Sequence, residues 1–193
     1  ARMRIPLYLM TSPATHDETL AELAANDYFG LPHDDVCVFC QGTMPAVEQD
    51  SGRLLLAEKH ELALSPDGHG GMLAALDRTG CLADMRARGL RQLFYCQVDN
   101  PLVSMCDPEF LGYHLLSSSE LSTQVVAKRT SRDKVGNVVS IDGKLRIIEY
   151  SDLPDTVAEQ RDAAGELKLW AGNIAVHVFD RTFLESVVAS ADG

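Results

Sequence analysis

The chain is organised by apolar runs that alternate with segments of helical spacing. The clearest strand is "RQLFYCQVDN" (residues 91–100), a continuous apolar run stopped by two polar residues. "IPLYLMTS" (5–12) and "VCVF" (36–39) have the character of further buried strands, and between them "HDETLAELAAND" (16–27) has apolar residues at helical spacing. Strands that alternate with helices predict an α/β fold with a mixed, mostly parallel sheet and helices on both of its faces.

Glycine and proline mark the ends of several predicted helices. "GGMLAALDRTG" (70–80) and "CLADMRARG" (81–89) each close on a glycine, and "DPEFLGYHLLSSS" (107–119) opens with Asp107 and Pro108. The other predicted elements are a short strand in an insertion hairpin (53–58), three strands in "STQVVAKRT", "GNVVSID" and "LRIIEYSD", a helix at 155–163, a short strand near "LWAGNIAVHVF", and a last helix, "DRTFLESVVAS". With no repeat and no linker, we expect residues 1–193 to form a single domain.

Composition excludes several classes of protein. The 193 residues are 46% hydrophobic and 23% charged, as in an ordinary globular protein. The net charge of −11 argues against a nucleic-acid or anionic membrane surface, because phosphate groups need a basic footprint. No apolar run is long enough to span a bilayer, and the N-terminal segment lacks a signal-peptide pattern. We therefore expect a cytoplasmic protein.

The five cysteines do not suggest a disulfide framework, because their number is odd and their positions (37, 40, 81, 96 and 106) are scattered. Cys37 and Cys40 form "CVFC", but this motif lies in a strand-like run, whereas redox pairs open a helix. No second CxxC is present to complete a zinc site. The sequence therefore predicts buried, reduced, structural cysteines.

Polar residues at the ends of predicted strands are candidates for a ligand site, because ligands of open α/β sheets bind beyond the carboxyl ends of the strands. Asp99 is one; it either caps a turn or binds a hard cation such as Mg²⁺. Gln41 and Glu149 end predicted strands in the same way, and Asn173 follows Gly172, where a ligand could approach the backbone. The glycine-rich "SPDGHGG" (65–71) either makes a turn before a helix or lets the backbone come close to a ligand. Together these features favour a ligand cleft.

Four segments carry a family resemblance: "PDGHGG", "RGLRQLFYCQVDNPLVSMCDPEFLGYH", "KVGNVVSIDGKLRIIEYSDL" and "AGNIAVHVF". In order and spacing they resemble the UDP-N-acetylglucosamine pyrophosphorylase and UDP-sugar pyrophosphorylase family, over about residues 5–190. The resemblance implies a nucleotidyltransferase domain of GT-A or Rossmann-like fold. It also implies a Mg²⁺-dependent uridylyltransferase that joins UTP and a sugar 1-phosphate into a UDP-sugar and releases pyrophosphate.

The resemblance also implies a role for each matching residue. Gln41 would hydrogen-bond uracil, since an amide carries both a donor and an acceptor. Asp99 would be the catalytic carboxylate that binds Mg²⁺. Glu149 and Asn173 would read the sugar hydroxyls, and Gly136 would lie beside the sugar. The loop packed against uridine and sugar would consist of Pro66, Asp67, Gly68, His69 and Gly70.

The sequence departs from the family pattern in three ways. His69 replaces an asparagine that is usual in the acetylglucosamine enzymes, and Cys40 stands where a second glutamine is usual. The sugar, N-acetylglucosamine or a hexose, is therefore open, and His69 as a structural turn residue remains an alternative. The family's glycine-rich loop "LxGGxGTRLG" and a later lysine-bearing segment are not found in the chain. We accordingly expect the central part of a larger transferase, which in isolation is weakly active or inactive.

Such a reaction needs little acid–base chemistry, because the attacking sugar phosphate oxygen is already an anion. Positioning and charge neutralisation carry the catalysis. Two alternatives remain: a UDP-sugar-binding module without catalysis, and a structural α/β domain without a ligand. Self-association through an uncovered strand edge is a further expectation.

Overall fold

A computed structural model describes residues 4–191, and these residues divide between two compact units. The first unit combines the chain up to Leu90 with the residues from Leu184 onward, and the second runs from Arg91 to Phe183. That the whole chain is a single domain remains a prediction. Among the described residues, no helix is both long and apolar enough to cross a membrane.

The first unit is built on a parallel pair of strands. Strand β1 (Leu7–Thr11) pairs with β2 (Val36–Cys40), from Leu7 opposite Val36 to Thr11 opposite Cys40. Helix α1 (His16–Ala25) connects them, as a parallel pair requires. The core residues of this unit are Leu23, Phe39, Ala75, Leu76, Cys81, Leu82, Met85 and Leu184.

An antiparallel insertion follows β2. Strand β3 (Thr43–Pro45) pairs with β6 (Leu64–Pro66), and β4 (Leu56–Glu58) pairs with β5 (Glu61–Leu62). The predicted hairpin is therefore confirmed, although its strand begins at Leu56 rather than residue 53. The chain then enters two helices, α2 (Met72–Arg78) and α3 (Cys81–Ala87).

The second unit is a five-stranded sheet. Its elements, in chain order, are β7 (Gln92–Tyr95), α4 (Pro108–Leu116), β8 (Leu121–Ala127), β9 (Gly136–Ile141), β10 (Lys144–Ile148), α5 (Asp155–Ala158) and β11 (Ala171–Asp180). Helix α6 (Arg181–Ala191) follows. Strand β11 pairs with β7, β8 and β9, and β9 also pairs with β10; all four pairings are antiparallel. Val176 and Val178 of β11 are completely buried.

The α/β class is confirmed, but a mostly parallel sheet is not observed. Of the strand pairings in residues 4–191, only that of β1 with β2 is parallel. Strands β7 and β8 run in the same direction on either side of a helical crossover, yet β11 pairs antiparallel with both. Strands β9 and β10 are joined by the Asp142–Gly143 turn, in which both residues have positive φ, a hairpin geometry.

Helix ends follow the predicted chemistry. The Asp107 side chain accepts a hydrogen bond from the Glu109 N–H at 2.9 Å, and Pro108 opens helix α4. Gly80 and Gly89, which follow α2 and α3, have φ of +78° and +70°. Glycine adopts this left-handed conformation without the strain that a Cβ causes, so both glycine stops are confirmed.

Several predicted elements differ in length from those observed. Strand β7 ends at Tyr95 rather than at residue 98, before the two polar residues, and helix α5 ends at Ala158 rather than at residue 163. Strand β11 is not short: it has 10 residues. Its three antiparallel neighbours, β7, β8 and β9, explain this length, because strand pairing supplies backbone hydrogen bonds along the run.

All five cysteines are free, as predicted, but only Cys81 is buried and the other four are half-buried. The Cys37 and Cys81 Sγ atoms lie 3.4 Å apart. Burial, together with the hydrogen bond to Cys81, raises the pKa of Cys37 to about 11. This thiol is therefore protonated at neutral pH, which fits a structural role.

Candidate functional site

Gln41 lies directly after β2, where the parallel pair ends. Its backbone N–H donates to the Thr11 carbonyl at 2.8 Å, which fixes the residue against the last position of β1. Its side-chain Oε1 is buried and has no hydrogen-bond partner among the described residues. A buried acceptor without a donor costs about 1–3 kcal/mol. Gln41 therefore offers an acceptor that a bound ligand could satisfy.

Asp67 lies in a cradle formed by two glycines. A Cβ on Gly42 would lie 2.3 Å from Asp67 Oδ2, and a Cβ on Gly71 would lie 2.0 Å from Asp67 Cγ. Since Cβ atoms do not approach other atoms so closely, both positions require glycine while Asp67 occupies this place. Asp67 Oδ1 is buried and, within residues 4–191, unpaired. The cradle thus contains a second buried acceptor.

The Gln41 segment and the glycine-rich loop are in direct contact. The Asp67 N–H donates to the Gly42 carbonyl at 3.1 Å, and Pro66 pairs with Thr43 in the β3–β6 ladder. Gly68 has a φ of +68°, a conformation that favours glycine. His69 and Gly70 are exposed. The structure therefore brings the predicted uracil contact and the predicted loop together within the first unit.

Arg78 supplies a positive charge at the end of β2. Its Nη2 donates to the Cys40 carbonyl at 3.2 Å, and its Nη1 would lie 3.5 Å from a Cβ on Gly42. The guanidinium thus lies beside the same glycine that Asp67 packs against. A fixed cation here favours an anionic group nearby.

In the second unit, three predicted residues converge. Asn173 of β11 lies opposite Gly136 of β9. A Cβ on Gly136 would lie 3.4 Å from Glu149 Oε1 and 3.6 Å from Asn173 Cβ. Glu149, directly after β10, is exposed, and Asn173 is half-buried. The cluster therefore brings a carboxylate and an amide together beside Gly136, where a Cβ would also lie 2.9 Å from Ile147 Cγ2 and is excluded by that side chain.

The amide of Asn173 has two partners on its oxygen side. Asn173 Oδ1 accepts from Thr123 Oγ1 and from the Ala175 N–H, both at 3.1 Å. Strand β11 is irregular at this point, because its register against β8 shifts between Asn173 and Val176. Asn173 therefore lies inside a strand at a bulge, not at a strand end.

Gly172 is explained by side chains of the protein itself. A Cβ there would lie 2.8 Å from Val135 Cγ2 and 3.2 Å from Lys128 Cγ. The side chains of Val135 and Lys128 already occupy the space in which we expected a ligand to approach the backbone. Gly172 thus allows internal packing, and the approach of a ligand is not needed to explain it.

Asp99 lies four residues after the end of β7 and is exposed. Burial, and to a lesser extent Cys96 and Asp99, raises the pKa of Tyr95. No group of three or more His, Cys, Asp or Glu side chains that could hold a metal ion occurs in residues 4–191. A single exposed carboxylate nevertheless fits Mg²⁺, which keeps several waters and takes one or two carboxylates plus substrate phosphates.

The predicted residues thus form two groups, one in each unit. Gln41 and residues 66–70 belong to the first unit, and Asp99, Gly136, Glu149 and Asn173 to the second. Sequence reasoning missed Gly42, Gly71 and Thr123 as supporting residues. The glycines had a signal in "CQGT" and "HGG", whereas nothing in "LSTQVV" distinguishes Thr123 from any other strand threonine.

Comparison with known proteins identifies the family. The UTP–glucose-1-phosphate uridylyltransferase family matches residues 1–191. The chain belongs to this family.

Individual relatives agree with this assignment. The chain is 38% identical over 188 residues to the UDP-N-acetylhexosamine pyrophosphorylase-like protein 1 of Xenopus tropicalis, covering 97% of the chain and 37% of that protein. It is 36% identical over 178 residues to the UDP-N-acetylglucosamine pyrophosphorylase of Saccharomyces cerevisiae, covering 92% of the chain and 37% of that protein. The chain thus spans little more than a third of the length of these relatives.

Solved structures share the fold. The crystal structure of a UDP-N-acetylglucosamine pyrophosphorylase from Entamoeba histolytica superposes with a TM-score of 0.87 at 30% identity, covering 98% of this chain and 47% of that one. The Trypanosoma brucei enzyme in complex with inhibitor gives 0.86 at 28% identity, covering 98% and 38%. The described fold is therefore that of part of a UDP-sugar pyrophosphorylase.

Proposed function

We propose that this chain is the uridine- and sugar-binding part of a uridylyltransferase, which joins UTP and a sugar 1-phosphate into a UDP-sugar and pyrophosphate. The observation that carries the proposal is the buried, unpaired Oε1 of Gln41. Uracil presents an N–H donor beside carbonyl acceptors, and an amide side chain complements that edge. Membership of a family described as uridylyltransferases supports this interpretation.

The loop around Asp67 would form a wall of the uridine site. Pro66 and Asp67 are held against the segment after Gln41 by the Asp67–Gly42 hydrogen bond. Gly68, His69 and Gly70 continue the loop, and Gly70 has open space where a Cβ would stand. A planar base could therefore approach the backbone there closely.

In the second unit, Glu149 and Asn173 would bind the sugar hydroxyls. Gly136 lies beside both residues, and the space where its Cβ would stand is already approached by Ile147 Cγ2 at 2.9 Å. The proposal therefore rests on the Glu149 carboxylate and the Asn173 amide, not on open space at Gly136. The sugar would be N-acetylglucosamine or a hexose. Relatives named for both N-acetylglucosamine and N-acetylhexosamine support an acetylated sugar, whereas His69 departs from the asparagine usual in such enzymes.

Asp99 would hold Mg²⁺, since it is an exposed carboxylate in the segment that follows strand β7. When bound, the ion would supply neutralisation of phosphate charge. In the reaction, an oxygen of the sugar 1-phosphate forms a bond to the α-phosphorus of UTP, and the bond from that phosphorus to the departing pyrophosphate oxygen breaks. The attacking oxygen is already ionised, so no residue of this chain acts as a general base.

Location and assembly remain proposals. Five free cysteines are typical of a reducing compartment, which supports a cytoplasmic location. Self-association is a further proposal, consistent with exposed apolar residues such as Leu145 on β10, which is 75% exposed.

A UDP-sugar-binding module without catalysis is the second candidate. The arginines at 78, 86, 88 and 91 are the only Lys or Arg residues between positions 61 and 127. A triphosphate at the point of transfer needs fixed cations or backbone N–H groups. This shortage would reduce turnover more than it would reduce binding.

Titration calorimetry tests the proposal. The 193-residue chain is titrated with UDP-N-acetylglucosamine, UDP-glucose and UDP, each with Mg²⁺, and so are the Gln41→Ala variant and a matched control, Gln49→Ala, at an exposed position. We expect saturable binding that weakens about tenfold in Gln41→Ala, the effect of one lost hydrogen bond, and is unchanged in the control.

Two further results decide between the candidates. Absence of binding in folded wild-type protein would contradict the proposed uridine site. Pyrophosphate release from UTP and sugar 1-phosphate would separate the transferase from the binding module, which binds the UDP-sugar without turnover.

A further inference from the structure

We propose that Thr123 is a positioning residue, which holds the side-chain amide of Asn173 so that its nitrogen faces the ligand. Asn173 would then act only as a hydrogen-bond donor to a sugar hydroxyl. The inference rests on the proposed function, because it concerns the sugar-binding residues of the second unit.

The orientation of the Asn173 amide follows from its two neighbours. The Ala175 backbone N–H lies 3.1 Å from the atom assigned as Oδ1, and a backbone N–H can only donate. The amide oxygen, not its nitrogen, must therefore face Ala175. Thr123 Oγ1 lies 3.1 Å from the same atom and can donate to its second lone pair. Both acceptor positions of Oδ1 are then occupied.

Thr123 has a weaker alternative for its single proton. The Val176 carbonyl lies 3.5 Å from Thr123 Oγ1, which is at the limit of hydrogen-bond distance. The bond to Asn173 is shorter by 0.4 Å and is the one that the geometry favours. The Thr123 hydroxyl therefore donates to the Asn173 amide oxygen in preference to the Val176 backbone carbonyl.

The backbone contributes to the same orientation. Strand β11 shifts register between Asn173 and Val176, and Ala175 has a φ of +53°, which is unusual for a residue with a Cβ. Such a conformation is strained for a residue with a Cβ. Here it turns the Ala175 N–H toward Asn173, and a bulge that redirects a side chain in this way is typical of functional sites.

The nitrogen side of Asn173 is left for a ligand. No acceptor for Nδ2 is found among residues 4–191. Gly136 lies opposite Asn173, and Glu149 Oε1 lies beside Gly136. An ionised carboxylate only accepts hydrogen bonds. A donor amide and an acceptor carboxylate together suit hydroxyl groups, which accept from Asn173 and donate to Glu149.

The test compares Thr123→Val, which removes the hydroxyl at nearly constant volume, with Thr123→Ser, which retains it. Thr19→Val, at a half-buried position of α1 where the hydroxyl donates to the Thr15 carbonyl, is the matched control. Affinities for UDP-glucose and for UDP, each with Mg²⁺, are measured by calorimetry on the full 193-residue chain. We expect Thr123→Val to bind UDP-glucose about five- to tenfold more weakly, with UDP affinity changed less than about twofold. Thr123→Ser and Thr19→Val should resemble the wild type.

A second variant keeps the inference testable if Thr123→Val does not fold. Asn173→Asp retains an oxygen toward Thr123 but replaces the donor nitrogen by an acceptor. With Thr123 intact, it should lose UDP-glucose affinity at least as strongly. Wild-type affinity in this variant would overturn the donor assignment.

The outcomes separate the inference from the proposed function. If the wild type prefers UDP-glucose to UDP and Thr123→Val keeps that preference, the inference is wrong and the proposed function stands. An equal loss for both ligands in Thr123→Val indicates a merely structural role and also overturns it. If the wild type binds UDP-glucose no better than UDP, the same comparison is made with UDP-N-acetylglucosamine. If that ligand also binds no better than UDP, the sugar-binding proposal fails, and the inference fails with it.

Discussion

The candidate ligand-binding residues of the two units are hydrogen-bonded to different degrees, although each unit holds at least one buried side-chain atom without a partner among the described residues, His177 Nδ1 in the second. In the first unit, Gln41 Oε1 and Asp67 Oδ1 are buried acceptors without a donor among the described residues. In the second, Asn173 Oδ1 has two donors from the protein itself. Gln41 and Asp67 of the first unit therefore retain acceptors that a ligand could use, whereas Asn173 of the second unit has its amide oriented by the protein itself. A nucleotide base could donate a hydrogen bond to an acceptor of the first unit. The oriented Asn173 amide of the second unit would favour a hydroxyl group that accepts a hydrogen bond.

The largest expected effect concerns the glycine cradle of the first unit. In Gly71→Ala the new Cβ would lie within 2.2 Å of all three carboxyl atoms of Asp67, so the carboxylate must leave its place. We expect the free energy of unfolding to fall by about 2–3 kcal/mol, as in overpacked cores. Urea denaturation measures this, at an m-value close to that of the wild type.

The control for this variant is Gly70→Ala, because a Cβ on Gly70 meets nothing within 4 Å. The double variant Gly71→Ala/Asp67→Ser should recover part of the lost stability, since the two sites are in contact and their effects are not additive. Equal stability of Gly71→Ala and Gly70→Ala would show that Asp67 does not occupy the cradle.

The contrast between the two clusters also shows what a sequence can and cannot predict. Gln41, Asp67, Gly136 and Glu149 lie in short motifs whose residue types carry their own chemical meaning, and so they could be identified. Thr123 could not, because its role depends on a bulge 50 residues later in the chain. Ala175 takes the left-handed conformation in that bulge, and an alanine in a sequence does not predict such a conformation.

The fold was predictable to a similar degree. Asp107–Pro108, Gly80 and Gly89 act through local capping, and the structure confirms all three. The arrangement of the strands, in contrast, does not depend on local residues alone. Strand β7, helix α4 and strand β8 follow one another as in a parallel unit, but β11 pairs antiparallel with both strands. Alternation of strands and helices cannot reveal which later strand takes that place.

A smaller effect is expected at Gln41, and it has an unusual sign. Gln41→Met keeps the length of the side chain but removes the unpaired acceptor. Because that acceptor is buried without a partner, its removal should leave the free energy of unfolding unchanged or raise it by up to about 1 kcal/mol. UDP binding should weaken at the same time. Thermal denaturation with and without UDP measures both effects.

The comparison would break down if Gln41→Met lost stability and ligand affinity together. That result would mean that Gln41 Oε1 has a hydrogen-bond partner within the protein, as Asn173 Oδ1 has. The same substitution at Gln49, which is exposed, corrects for any general effect of methionine at the surface.

The smallest expected effects are the acid-sensitive windows of two groups, Asp84 in the first unit and His177 in the second. In the first unit, hydrogen bonds from Tyr8 at 2.6 Å and from Arg88 at 2.8 Å lower the pKa of Asp84. In the second, burial lowers the pKa of His177, whose ring stacks on Tyr95 at 5.6 Å between centroids. Both groups bind protons more weakly in the folded chain than in the unfolded chain. Acidification therefore favours unfolding at both sites, but over different ranges of pH.

The window for His177 begins near the ordinary histidine pKa of about 6.5 and extends downward to its lowered folded value. That for Asp84 begins near the ordinary aspartate pKa of about 3.9 and likewise extends downward. We expect His177→Phe, which keeps an aromatic ring, to flatten the decline in stability below about pH 6.5 without changing it near pH 4. Asp84→Asn should do the reverse. Urea denaturation at half-unit steps of pH measures both, and an unchanged slope in His177→Phe would show that this imidazole is accessible to protons in the folded chain.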